Sequence, residues 1–187
     1  MSAHDHERQA RLAASTSPIR LAVVTVSDTR TAKTDASGDA ACTIATDGGL
    51  LVAERRWSRD DAAELDATLD DLLAIADLDA IVLSGGTGLG PRDGTVEVVS
   101  RRLRLELPGF GEMVRALGWR DVGASTMLSR ALGGVAQNAT DQGVLVFAMP
   151  GSTRAVESVM RELIVPILPH AVWELRGRPT AGAPEAG

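Results

Sequence analysis

The stretch that most restricts the fold is Leu83–Thr95, LSGGTGLGPRDGT, because of what flanks it. Asp79–Leu83 (DAIVL) is a continuous apolar run of the kind buried on both faces of a parallel sheet, and Val96–Leu105 (VEVVSRRLRL) carries helix-like sequence. A strand that passes through a glycine turn straight into a helix is half of a βαβ unit. It also aims several backbone N–H groups, together with the positive end of the helix dipole, at one spot. Four glycines, Gly85, Gly86, Gly88 and Gly90, fall within six residues, so a ligand can approach the main chain closely. Arg92 offers a forked cation for phosphate and Asp93 a hard oxygen ligand for Mg²⁺. The loop therefore reads as a nucleotide or phosphate site. It matches neither common template. Rossmann G-x-G-x-x-G meets Pro91 or Asp93 where its last glycine belongs, and Walker A needs a lysine where the chain has none, its single lysine being Lys33.

Three other apolar runs repeat the pattern. Ile19–Val26 (IRLAVVTV) and Gly143–Met149 (GVLVFAM) read as buried central strands, and Leu50–Trp57 (LLVAERRW) as a strand nearer an edge. Between them, Asp39–Thr46 reads as a short helix. Ser58–Asp61 reads as a capping box opening a second helix, with its stripe at Leu65, Leu69, Leu72, Leu73 and Ala76. Thr95–Leu105 is expected to be a helix, broken at Leu107–Gly111 and resumed for a turn at Glu112–Leu117. Gly133-Gly134 argues against a long helix over Ser125–Val135. The final helix shows Val156, Val159, Met160, Leu163 and Ile167 on one face, with Pro166 set to kink or restart it. Four strands alternating with helices specify an α/β fold, a three-layer αβα sandwich with a mainly parallel sheet. Residues 19–175 form one domain between flexible tails, 1–18 and 176–187. In such sheets ligands bind at the carboxyl ends of strands. That joins the Gly-rich loop to Ser27-Asp28-Thr29-Arg30 after the first strand, to Asp60 after the second and to Pro150-Gly151-Ser152 after the last, in one composite crevice. Asp60 has two readings, a charge favouring the helix dipole or a carboxylate projecting into that crevice.

A net charge of −6 excludes a broad nucleic-acid footprint, so an anionic ligand must be met by local positive groups or a metal. The single cysteine, Cys42, excludes internal disulfides and Cys-cluster metal sites, and suits a reducing cytoplasm. The first residues lack the apolar segment of a signal peptide, and no run is long enough to span a membrane. The expected location is cytoplasmic. No G-x-S-x-G elbow occurs, and His170 is the only histidine of the globular part, so a histidine-dependent triad is not expected.

Six blocks taken together resemble a known family: TVSDTR at Thr25–Arg30 with DASG at Asp35–Gly38, SGGTGLGPRDGT at Ser84–Thr95, PGFGE at Pro108–Glu112, MLSRALGGV at Met127–Val135, and MPGS at Met149–Ser152. In this order, from about Arg20 to Leu175, they are similar to the MoaB/MogA family of molybdenum-cofactor biosynthesis, the PGFGE, LSR and MPGS forms being closer to its MoaB branch. The resemblance implies a molybdopterin-binding α/β fold, usually trimeric or hexameric, and Mg²⁺-dependent adenylylation of molybdopterin by ATP with release of pyrophosphate. It also implies a downstream molybdenum-insertion protein as partner, and no nucleic acid or membrane. Asp93 matches the family's PRD aspartate and Asp60 its other functional aspartate, and the two would hold Mg²⁺ on the triphosphate. Gly85, Gly86, Thr87, Gly88 and Arg92 match the phosphate loop. Ser129, Arg130, Pro150, Gly151 and Ser152 match the blocks that would hold phosphate, including the pterin's own, and Ser27 and Asp28 a further site-facing block. The sequence departs from the pattern at Arg59, where the family has proline before its aspartate, and at Gly94 and Val96 after Asp93. Two alternatives remain open at this level: a non-catalytic molybdopterin-binding or scaffold protein of the same fold, and a nucleotide-processing domain of the CinA type.

Overall fold

The structure, a computed structural model, describes residues 18–176. Segments 1–17 and 177–187, which hold nearly all of both expected tails, lie outside the described residues. In chain order the elements are β1 (Arg20–Val26), α1 (Ala36–Asp47), β2 (Leu51–Ser58), α2 (Ala62–Leu73), β3 (Ala80–Ser84), α3 (Thr95–Arg102), β4 (Leu103–Glu106) and α4 (Pro108–Val122). A 3₁₀ turn (Gly123–Leu128) leads to β5 (Leu132–Gln137) and β6 (Gly143–Met149). The chain ends in α5 (Thr153–Val159), a π turn (Met160–Ile164) and α6 (Val165–Leu175). The six strands form one sheet in the order β2-β1-β3-β6-β5-β4. The four expected strands, β1, β2, β3 and β6, are mutually parallel, whereas β5 and β4 are antiparallel additions at one edge.

Helices cover both faces, which is why β1, β3 and β6 read as unbroken apolar runs. On one face Leu21, Val23, Val82 and Phe147 meet α1, α4, α5 and α6 through Ile44, Val114, Leu117, Val156 and Leu168. On the other, Val24, Ile81, Leu83 and Val146 meet α2 and α3 through Leu65, Leu69, Leu72, Val98 and Val99. This is the expected three-layer αβα sandwich.

Five local expectations need correction. The sheet has six strands, not four. The helix after the Gly-rich loop stops at Arg102, where Leu103–Glu106 (LRLE) takes up a period of two and pairs with β5. The PGFGE block does not break a helix but starts one, with Pro108 in the first turn where its missing N–H costs nothing. The capping box lies three residues later than expected. Ser58 closes β2, and Asp61 is the N-cap of α2, its carboxylate accepting from the N–H groups of Ala63 (3.0 Å) and Glu64 (2.9 Å). The final helix buries Val156, Val159 and Met160 as expected, but its later part turns a different face inward. The π turn inserts one residue, so the buried row passes from Val159 and Met160 to Ile164, Leu168 and Val172, and Ile167 is left exposed.

Candidate functional site

Because β1 leads to β2 on one side and to β3 on the other, the carboxyl ends of β1 and β3 bound a crevice where the winding direction reverses. The loop after β3 is held there by its backbone. Gly85 N–H donates to Met149 O (3.0 Å), Thr95 N–H to Gly86 O (3.1 Å) and Arg130 N–H to Thr87 O (3.0 Å). Gly85 has φ +112°, and a Cβ there would lie 2.1 Å from Val26 O. Gly86 has φ +62°, and a Cβ would press on Thr95 Oγ1 and the Asp60 carboxylate. Only glycine fits either position. On the far side, Gly151 abuts the Gly85 backbone. The two glycine turns thus form opposite lips of a cleft of about 330 Å³, lined by Gly86, Thr87, Gly88, Asp93, Ser129 and Gly151 among others.

Three aspartates from three loops gather at this edge. With Asp61 taking the N-cap of α2, Asp60 is released from that task and turns to the Gly86 turn. Its Oδ1 is buried and takes no hydrogen bond. Burial raises the Asp60 pKa, and the charges of Asp28 and Asp93 raise it further against the smaller opposing effects of Arg92 and the Asp28 N–H. Its ionised form is therefore disfavoured until a cation arrives. Asp93 accepts from Gly90 N–H (2.7 Å), which folds the second half of the loop back on itself. Asp28 pairs with Arg92 at 2.7 Å.

The arginines expected to meet phosphate are engaged within the protein. Arg130 donates from Nε to Gly88 O (2.8 Å) and from Nη2 to Asp93 O (2.7 Å), and Nη1 pairs with Glu97 on α3. It braces the loop from outside. Ser27 Oγ caps its own turn, accepting from Thr29 and Arg30 N–H groups (3.3 Å each). Ser152 is the N-cap of α5, accepting from Ala155 N–H (3.4 Å). By contrast, Ser129 Oγ is buried without a partner at the cleft wall. Ser129 and Arg130 reach the site because β5 runs antiparallel to β6, so its first residue, Leu132, lies beside Ala148 at the carboxyl end of β6.

With this arrangement in view, comparison with known proteins is decisive. Residues 22–170 match the family described as "Probable molybdopterin binding domain". The chain belongs to the MoaB/MogA family. It is 38% identical to molybdenum cofactor biosynthesis protein B of Halalkalibacterium halodurans over 176 residues, 94% of this chain and 98% of that one. A crystal structure of a molybdenum cofactor biosynthesis protein B superposes with TM-score 0.78 at 38% identity, covering 85% and 96% of the two chains. The tungsten cofactor synthesizing protein MoaB of Pyrococcus furiosus gives 0.75 at 29%, covering 86% and 98%.

For a MoaB-family site the metal question is whether these residues suit Mg²⁺. Among the described residues no three His, Cys, Asp or Glu side chains form a metal cage. Mg²⁺ does not require one, since it binds through one or two carboxylates and completes its shell with water and substrate phosphate. The buried, unpartnered Asp60 Oδ1 beside Asp93 fits that role.

Sequence reasoning gave no site role to two residues beside this MoaB-family cleft, Thr95 and Glu97. Thr95, at the first position of α3, has a buried hydroxyl without a partner against Gly86 and Asp60. Glu97 fixes Arg130. Asp35 anchors the first loop, accepting from Thr25 Oγ1 (2.6 Å), Arg55 Nη2 (2.6 Å), Trp57 Nε1 (3.1 Å) and Gly38 N–H (3.0 Å). Burial alone would raise its pKa, but these partners and Ser37 outweigh that and hold it below the ordinary value. A second cavity, of about 190 Å³, opens beside the cleft and shares Ser129 and Pro150 with it. Among the described residues no helix is long and apolar enough to cross a membrane.

Proposed function

We propose that this chain binds molybdopterin and adenylylates it with Mg–ATP, releasing pyrophosphate, as a step of molybdenum-cofactor biosynthesis in the cytoplasm. The observation that carries this reading is the pair Asp60 and Asp93. Asp60 packs against Gly86 and Asp93 against Gly88 at the two ends of one turn, and the helix-capping duty that would have drawn Asp60 away is performed by Asp61. In the transfer, a terminal phosphate oxygen of molybdopterin bonds to the α-phosphorus of ATP while the bond from that phosphorus to the pyrophosphate oxygen breaks. Asp60 and Asp93 would hold Mg²⁺, which when bound would neutralise charge on the triphosphate. The chain's own residues contribute position. The N–H groups of Gly86–Gly88 and the start of α3 cradle one phosphate, and Ser129, Gly151 and Ser152 receive the pterin's phosphate. No protein nucleophile is required.

One observation favours the second reading, a non-catalytic molybdopterin-binding scaffold. Arg92 and Arg130 are both paired with protein acceptors, so their charge is partly offset before a triphosphate arrives. A homo-oligomer, trimer or hexamer, is supported by an open apolar groove of about 570 Å³ along Phe110, Met113, Leu163, Pro166 and Ile167. A downstream molybdenum-insertion protein would receive the product.

A single-turnover assay with molybdopterin, Mg²⁺ and α-labelled ATP separates the readings. Asp93→Asn keeps a side-chain oxygen to accept from Gly90 N–H, so the loop stays folded, and label transfer is expected to vanish while pterin binding persists. Pterin binding without transfer in the unaltered protein would leave the scaffold. ATP cleavage without pterin would point to the CinA-type activity. Full transfer by Asp93→Asn would refute the role assigned to that carboxylate.

A further inference from the structure

The second cavity holds two charges that break a local rule. Asp121 lies in the last turn of α4, where the helix dipole disfavours an anion, and Arg154 lies in the first turn of α5, where it disfavours a cation. The two meet as an ion pair at this cavity, Arg154 Nη2 donating to Asp121 Oδ1. Asp121 is the more sheltered partner, its side chain 23% exposed against 73% for Arg154. Its Oδ2 takes no hydrogen bond among the described residues. Charges placed against their helices and paired with each other are the kind of local conflict that marks a site rather than a fold requirement.

The walls indicate what the site takes. Val114 and Leu117 from α4 and Val159 from α5 make an apolar lining, and the cavity continues through Ser129 and Pro150 into the phosphate cleft. A flat heterocycle carrying a phosphate would lie with its ring here and its phosphate there, and Asp121 would be the one carboxylate along the ring's edge. A carboxylate accepts two parallel N–H bonds best. A pterin presents such an edge through its 2-amino group and N3–H. Adenine sets its amino donor beside a ring-nitrogen acceptor, which would oppose a carboxylate oxygen.

We propose that Asp121 is the residue that reads the aminopyrimidinone edge of the pterin, with Arg154 as the counter-ion that holds it in place. The proposal rests on the molybdopterin reading above and assigns the pterin ring to this cavity, leaving the nucleotide to the β1 and β3 side of the cleft. Such a site rejects an analogue that lacks the donor far more strongly than shape alone would.

The test compares two ligands, 6-hydroxymethylpterin monophosphate and the matching lumazine phosphate, in which an oxo group replaces the 2-amino group. Binding to the full chain is followed by calorimetry. The unaltered protein is expected to prefer the pterin by about tenfold or more. Asp121→Asn and Asp121→Ala are expected to bring the ratio close to one with the affinity for Mg–ATP unchanged. Arg154→Ala, which keeps the reading group but releases it, is expected to retain the preference in reduced size. Equal binding of the two ligands by the unaltered protein, or discrimination surviving in Asp121→Ala, overturns the assignment alone. Failure to bind either ligand or molybdopterin overturns the molybdopterin reading with it.

Discussion

Removing the Arg130 side chain separates two roles that one residue could hold, a phosphate-binding cation or a brace for the loop that binds phosphate. In the structure three of its five N–H groups are engaged, two of them on the main-chain oxygens of Gly88 and Asp93 at 2.8 and 2.7 Å. Hydrogen bonds from a charged donor contribute about 1.5–3 kcal/mol when sheltered. Here the guanidinium is 30% exposed and water can replace it on both oxygens, so about 1 kcal/mol each is the fair figure. The Glu97 pair, whose carboxylate is half exposed, adds less than about 1 kcal/mol. Arg130→Ala should therefore cost about 2–3 kcal/mol, which for a domain of this size lowers the melting temperature by about 4–12 °C. Amide exchange should accelerate across Gly88–Asp93 with the β1 and β6 amides unaffected. Arg130→Lys should recover only part of the loss, because an ammonium cannot span both oxygens as the guanidinium fork does. Thermal denaturation and hydrogen exchange, both without ligand, are the measurements. An unchanged melting temperature and exchange pattern, with only phosphate affinity lost, would refute the brace and restore the direct contact.

Two further predictions have opposite signs with pH. The Asp60 pKa is raised in the fold, so its ionisation costs stability: the cost is absent below the ordinary value of 3.8 and grows as pH rises through the folded value. Asp60→Asn should raise the melting temperature at neutral pH, with no gain in acid, and should abolish the Mg²⁺ dependence of ATP binding; a loss of stability at neutral pH would contradict the crowding of Asp60 by Asp28 and Asp93. The Asp35 pKa is lowered, so its contribution is present above the ordinary value of 3.8 and is lost as pH falls through the folded value. Asp35→Asn should cost about 3 kcal/mol at neutral pH, because Arg55 loses the carboxylate that Asp35 provides, and denaturant titrations from pH 7 to pH 2 should show a flatter acid limb than the unaltered chain.

What was legible in the chain follows from how each element is stabilised. β1, β3 and β6 are buried on both faces and have to be apolar along their length, so composition alone marks them. β5 (LGGVAQ) carries no such mark because its glycines serve the neighbours. Gly133 admits the Phe110 ring of α4, and Gly134 admits Leu103 and the Leu105 main chain of β4. Its identity as a strand resides in residues about thirty positions away. The four-residue β4 is too short for alternation to outweigh the helix before it. The Gly-rich loop was legible because positive φ and close backbone approach leave glycine as the direct trace. The fate of Arg92, Arg130 and Ser152 was not, because a side chain that contacts a ligand and one that holds the loop for it are the same residue type at the same spacing.

The arrangement of charge bears on which form of the nucleotide this cleft suits. The arginines near the two cavities, Arg92, Arg130 and Arg154, are each matched to an acceptor of the protein, Asp28, the loop carbonyls with Glu97, and Asp121. Apart from Arg115, whose Nη1 donates to Ser129 O (3.3 Å), what remains to attract phosphate is fixed dipole: the N–H groups of the two glycine turns and the amino ends of α3 and α5. What faces it is carboxylate, in Asp28, Asp60 and Asp93. Fixed dipoles fall off within a turn, so they cannot offset those carboxylates against a bare triphosphate arriving from solvent. The same carboxylates become favourable once a divalent cation accompanies the phosphates. On the proposed reading, then, the cleft selects the metal-loaded nucleotide by repelling the bare one, and at Asp60, whose pKa is raised first by burial and then by Asp28 and Asp93, the cation would relieve that second contribution.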